Sequence, residues 1–218
     1  MTEIILTGDG SHTLFVPELS EHYHSIHGAV QESQFIFINS GLKYTDSSPV
    51  RIFEAGFGTG LNAYLTAMES SSANRKICYT SIEKYPLSPE ITGRLNYSAL
   101  FPGAEAGLFS KIHSCPWNTP AVINDTFTLT KIEGDLTKAV PEGLYDLIYF
   151  DAFGPDKQPE MWTDEVFEKI SAITGTGGVF ITYSAKGSVQ RSLKKVGFEV
   201  SLLPGPPGKR QIIRAVKI

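Results

Sequence analysis

Four acids in this chain stand where apolar runs stop. Glu54 ends RIFE and leads into FEAGFGTGLNA; Glu83 ends YTSIE; Asp135 follows IEG; Asp151 closes YDLIYFD and is followed by AFGPDKQPEMW. Buried strands more often stop on glycine or polar turn residues, so an acid in that place suggests that something is being held. If the runs are strands of one parallel sheet, their acids reach the same edge. In open α/β sheets that edge is where ligands bind.

The loop after the first run carries glycines at 56, 58 and 60. A dinucleotide fingerprint needs its third glycine one position later, where Leu61 stands, so the spacing disfavours a nicotinamide cofactor. Acid-x-G-x-G-x-G suits S-adenosylmethionine instead. That ligand has no pyrophosphate, and its zwitterionic amino acid end wants both backbone and acidic partners. Glu83 is placed to accept hydrogen bonds from ribose hydroxyls, and Asp135 from an adenine amino group. Gly56, Phe57, Gly58, Gly60 and Asn62 of the loop, with Glu54 behind it and Lys84 beside Glu83, complete the expected cofactor site.

Asp151 falls next to the first strand, close to a transferable methyl group. A carboxylate there can accept a hydrogen bond from an amine and align its lone pair with the sulfonium axis, and such positioning is worth several kcal/mol of barrier. Phe153 and Trp162 offer rings for stacking on a planar base; for Trp162 a place in the core is an equal alternative. No cysteine occupies this position, so covalent attack on a pyrimidine carbon is not expected.

These residues need a frame. From Val50 onward, β-rich runs alternate with helical stretches. The predicted strands are Arg51–Glu54, Ile77–Glu83, Thr128–Glu133, Asp146–Asp151, Gly178–Ser184, Phe198–Leu203 and Gln211–Lys217. The predicted helices lie near Leu61–Ser70, Ser88–Leu100, Thr163–Ile173 and Ser188–Val196. Such alternation implies βαβ units and a mainly parallel sheet. LPGPPGKR leaves no room for a crossover helix, so the last two strands pair antiparallel. The expected class is α/β, a Rossmann-like class I methyltransferase fold. One domain is expected over 1–218, with a core from 46 and an irregular or hairpin-forming lead over 1–45 that includes a strand at Phe35–Ile38. Residues 101–124, with three prolines, read as loop with a possible hairpin.

The 218 residues carry a net charge of −4 and two cysteines, which excludes a disulfide framework and a four-cysteine zinc site. No run is long and apolar enough for a membrane span, and the N-terminus lacks a basic n-region; a cytoplasmic protein is expected. His22, His24 and His27 have no fourth ligand nearby, so packing or surface roles are expected rather than metal binding. Charge is uneven: from Lys186 to the end, eight basic residues face the single acid Glu199.

Taken in order, FEAGFGTGLNA, TSIEKYPLS, EGD, YFDAFGPDKQPEMW, GGVFITYSAKGSVQRSLKKVGF and PGKRQI resemble the methyltransferase domain of the tRNA 5-methylaminomethyl-2-thiouridine biosynthesis (MnmC) proteins. The lead stretch HYHSIHGAVQESQFIF resembles theirs too. The resemblance implies methylation of the aminomethyl nitrogen on carbon 5 of the tRNA wobble uridine, with S-adenosyl-L-methionine as donor. Asp151 would then hold the amine. Tyr23 and Glu32 would line the pocket, and Lys186, Lys209 and Arg210 would lie near the RNA. The flavin-dependent oxidase domain of bifunctional members has no counterpart here, so no flavin step is expected. Two other readings remain open. A polyamine aminopropyltransferase also holds an amine with an acid after the fourth strand, but usually has a further acid in its glycine loop, where Thr59 stands. The other is a non-catalytic tRNA-binding protein.

Overall fold

The computed structural model describes residues 2–218. Its lead is a small antiparallel sheet of β1 (Glu3–Leu6), β2 (His12–Val16) and β3 (Glu21–His22), then α1 (Ala29–Ser33), which continues into a π-helical turn over Gln34–Asn39. The core follows as β4 (Val50–Ala55), α2 (Leu61–Ser72), β5 (Ile77–Glu83), α3 (Pro89–Thr92), α4 (Tyr97–Leu100), α5 (Leu108–Ser114), β6 (Ala121–Asn124), β7 (Phe127–Glu133), β8 (Tyr145–Phe150), α6 (Asp164–Ala172), β9 (Thr174–Thr182), α7 (Gly187–Lys195), β10 (Phe198–Pro204) and β11 (Gln211–Lys217).

Eight strands form one sheet in the order β10-β11-β9-β8-β4-β5-β7-β6. Strands β7, β5, β4, β8 and β9 run parallel. The outer strands β6 and β11 run antiparallel to their inner neighbours, and β10 pairs antiparallel with β11. Both faces of the sheet are covered, so its central strands are apolar on both sides. Ile52, Tyr79, Leu129, Leu147 and Ile181 pack on one face with Phe37 and Leu65. Phe53, Ile148, Phe150 and Phe180 pack on the other with Phe167 and Leu193.

The fold is the expected Rossmann-like one, and the structure corrects three local expectations. Phe35–Ile38 is not a strand: it lies in the π-helical turn, with Ile36, Phe37 and Ile38 buried. A short apolar run reads the same in a buried helix and a buried strand. The single helix expected over Ser88–Leu100 is two short ones, parted around Gly93. The segment 101–124 holds α5 as well as β6, and β6 makes the hairpin with β7.

Candidate functional site

Strands β4 and β8 are neighbours, but the chain leaves β4 toward β5 and returns to β8 only after β7. This is a topological switch point, and the loops beyond the strand ends part there. They enclose a cavity of about 660 Å³ between the glycine loop, the segments after β5, β7 and β8, and the lead.

The glycine loop is pinned from two sides. Glu83 accepts from the Gly58 backbone N–H at 3.0 Å and from the Tyr85 N–H at 2.8 Å, one on each carboxylate oxygen. From the lead, the buried His24 ring meets the Thr59 hydroxyl at 2.8 Å, and Tyr23 lies along Gly58. A Cβ on Gly58, whose φ is +51°, would sit 3.0 Å from the Tyr23 ring, so only glycine fits. Beyond β7, Asp135 accepts from the Thr137 hydroxyl at 2.6 Å and pairs with Lys84 at 3.0 Å. The Thr137 hydrogen bond, helped by Lys84, holds the Asp135 carboxyl down at about 2, so it is ionised at neutral pH.

At the other end of the cavity the Asp151 backbone N–H still donates to Ala55 O at 3.0 Å, so the carboxylate leaves directly from the sheet. Its Oδ2 accepts from Asn62 Nδ2 at 2.7 Å. Burial raises the Asp151 pKa well above the ordinary carboxylate range; Glu54 and Glu32 push the same way, while Asn62 and Lys209 oppose them. Glu32, from α1, accepts from the Ser25 N–H at 2.9 Å and pairs with Lys209 at 3.1 Å. The Lys209 ammonium lies 4.6 Å from the centre of the Tyr183 ring. Tyr183 donates to Ala152 O at 2.9 Å, and the Phe153 ring meets Tyr23 edge-on at 5.0 Å. Lys157 donates to Leu19 O and Ser20 O, tying the loop after β8 to the lead.

Of the residues singled out from the sequence, Gly56, Phe57, Gly58, Asn62, Glu83, Lys84, Asp135, Asp151, Tyr23, Glu32, Phe153 and Lys209 line this cavity. Five others do not. Glu54 is sealed beneath the loop at 1% exposure, accepting from Ser81 and Asn62. Burial lifts its pKa to about 8, and Asn62, which donates to both Glu54 and Asp151, links it to the cavity. Gly60 has φ +72° at the start of α2 and faces His113. Trp162 is a packing residue: its Nε1 donates to Phe153 O at 2.7 Å, and its ring meets Phe150 at 5.0 Å. Lys186 is paired with Asp156. Arg210 is exposed in the turn before β11. The Phe57 ring itself packs against Trp117 and His113. The three lead histidines diverge, His22 onto Phe15, His24 onto Thr59 and His27 onto Gly208. Among the described residues no three His, Cys, Asp or Glu side chains converge as metal ligands.

Among the other cavity residues, Tyr183 was not singled out from the sequence, and His24 was read only as a packing or surface histidine. Tyr183 follows β9 at the same sheet edge as the four acids, so the same argument extended by one strand would have found it. His24 carried no signal beyond its type.

Residues 116–218 match the family described as S-adenosyl-L-methionine-dependent methyltransferase (Methyltransf_30). The chain is 32% identical, over 96% of its length, to the tRNA 5-methylaminomethyl-2-thiouridine biosynthesis bifunctional protein MnmC of Cupriavidus metallidurans. It is 34% identical, over 88% of its length, to the protein of that name in Idiomarina loihiensis. It spans about a third of the length of these relatives. The crystal structure of MNMC2 from Aquifex aeolicus superposes with a TM-score of 0.79 at 28% identity, covering 99% of this chain and 70% of that one. Spermidine synthase from Thermotoga maritima shares the fold alone, with a TM-score of 0.59 at 12% identity, covering 94% of this chain and 68% of that one. The chain is thus similar to MnmC proteins along nearly its whole length, and to an S-adenosyl-L-methionine-dependent methyltransferase family over residues 116–218.

Proposed function

We propose that the protein methylates the aminomethyl nitrogen on carbon 5 of a wobble uridine in tRNA. The observation that carries this reading is Asp151, a carboxylate rising from β8 into a cavity whose far end holds Glu83 and Asp135. Bound at that far end, S-adenosylmethionine supplies an electrophilic methyl group on a sulfonium. The cavity residues suit it. Glu83 has lone pairs left for ribose hydroxyls after taking two backbone N–H groups, and the glycine loop presents bare backbone. Tyr23 and Phe153 flank the approach to Asp151 and suit a planar base. Glu32 and Asp151 give the amine an acidic surrounding, and Lys209 holds Glu32 in place.

An alkyl ammonium has no lone pair, so the amine must lose a proton before it attacks. Asp151 binds the cationic amine and then orients the neutral one. A carboxyl raised by burial accepts a proton more readily than a free one, which suits it to this step. The similarity to tRNA 5-methylaminomethyl-2-thiouridine biosynthesis proteins supports tRNA as substrate, and a tRNA substrate fits a cytoplasmic protein. Among the described residues no helix is long and apolar enough to cross a membrane. We propose further that lead and core form one functional unit, because Tyr23, His24 and Glu32 of the lead complete the cavity.

The test uses S-adenosylmethionine labelled in its methyl group and tRNA bearing 5-aminomethyl uridine. The wild type should label the tRNA. Asp151→Asn, which keeps shape but loses charge, should do so about a hundredfold more slowly or worse, with donor affinity unchanged. Equal turnover by the variant would remove Asp151 from the chemistry.

A further inference from the structure

Asn62, in the first turn of α2, is 3% exposed. Its single amide nitrogen donates to two acids, Asp151 Oδ2 at 2.7 Å and Glu54 Oε1 at 3.1 Å, which uses both N–H bonds. Its Oδ1 is buried without a hydrogen-bond partner. Turning the amide over would set that oxygen against two carboxyl groups, so the orphaned carbonyl is the consequence of the bridge. Resting on the methyl-transfer reading above, we infer that Asn62 is the positioning residue for Asp151: its amide fixes the carboxyl group in the cavity and favours its charged form beside a second, sealed acid.

The surroundings of Asp151 make the amide's part distinct. It is faced by Glu54 from β4, Tyr79 from β5, Glu32 from α1, Tyr183 after β9 and Lys209 from the turn between β10 and β11. Both glutamates and the burial itself disfavour its charged form. Lys209 favours it, but that ammonium is already paired with Glu32. Asn62 therefore supplies the direct hydrogen bond to the carboxylate. Glu54 is enclosed, its pKa pushed up to about 8 by burial, whereas Asp151 opens on the cavity, so of the two carboxyls Asp151 is the one a substrate amine reaches. A carboxylate so held accepts a proton from the amine without swinging away from it.

The experiment replaces Asn62 with leucine, which keeps the volume and removes both donors. Carbon-13 NMR of labelled aspartate, assigned with Asp151→Asn, follows the Asp151 carboxyl in the protein alone. Loss of a hydrogen bond to a charged group should move its titration midpoint up by about one unit or more. The ascending limb of the pH–rate profile for methyl transfer should move up with it, so the rate at pH 7 drops roughly tenfold while KM for tRNA stays put. An unmoved titration midpoint overturns the inference, even if activity falls. If the leucine variant does not fold, Asn62→Ser, too short to bridge both acids, gives the same comparison. A wild type that transfers no methyl group to aminomethyl tRNA defeats the substrate reading instead, and the titration still decides whether Asn62 governs Asp151.

Discussion

Glu83 shows how much one side chain at the sheet edge is asked to do. Its two oxygens fix the glycine loop and the turn at Tyr85, and the same carboxylate lines the cavity where the proposed function puts the donor's ribose. Glu83→Ala should lower affinity for S-adenosylmethionine about tenfold or more, since each charge-assisted hydrogen bond contributes about 1.5–3 kcal/mol before water compensates. Titration calorimetry measures this directly, and unchanged affinity would place Glu83 outside the site. At this scale the sequence revealed residue types better than directions. The acids at the last residue of β5 and just past the ends of β7 and β8 all open on the cavity, because the sheet edge where those strands end faces it. Glu54 lies within β4, one residue short of the strand's end, and its side chain goes under the loop. Trp162 was legible only as a ring near Asp151. Its direction depends on an aromatic cluster with Phe150, Phe167 and Tyr183, which only the packing of α6 and β9 beside β8 brings together.

Among the elements, the lead acts as a brace for the glycine loop. His24 reaches Thr59 from one side, and Tyr97 donates to His12 O and approaches the same Thr59 hydroxyl at 3.4 Å. Burial holds His24 neutral, pushing its pKa from 6.5 down to about 4. The folded state then binds its proton at lower pH than the unfolded chain does. The stability it contributes is present above pH 6.5 and is lost as pH falls through about 4. His113, also lowered from 6.5 to about 4, acts in the same direction. Thermal unfolding should therefore show a melting temperature that falls over this range, and His24→Gln should fall less steeply; parallel curves would mean that His24 is not the buried neutral group described. The strands were the readable elements, with Ile77–Glu83 and Gln211–Lys217 matching from end to end. Their β-branched runs, bounded by turn residues, leave one solution. Helix α5 was hidden because Pro102, Pro116 and Pro120 flank a stretch too short to display a helical period.

Across the whole molecule, the basic end of the chain is less available than its composition suggests. Lys186 and Lys195 pair with Asp156 and Asp164, and Lys209 with Glu32. Arg214 lies 3.5 Å over the Tyr44 ring, and Lys217 donates to Ser171 and to Val196 O. Arg191, Lys194 and Arg210 remain exposed at the surface. Affinity for tRNA should thus depend only modestly on salt. Arg210→Ala should flatten the log–log slope by about one, while Lys186→Ala should leave it nearly unchanged; filter binding across a salt series separates them. The charge excess could be counted from the sequence, but its neutralisation could not, because every partner acid lies at least 30 residues away along the chain.

The central claim concerns one nitrogen. S-adenosylmethionine carrying a deuterated methyl group, incubated with the protein and tRNA bearing 5-aminomethyl uridine, should give a single new nucleoside after digestion. Mass spectrometry should find the label on the side-chain nitrogen, so that fragmentation releases deuteromethylamine. Label on the uracil ring or the ribose, or a tRNA that stays unlabelled while the protein binds the donor, would contradict the account.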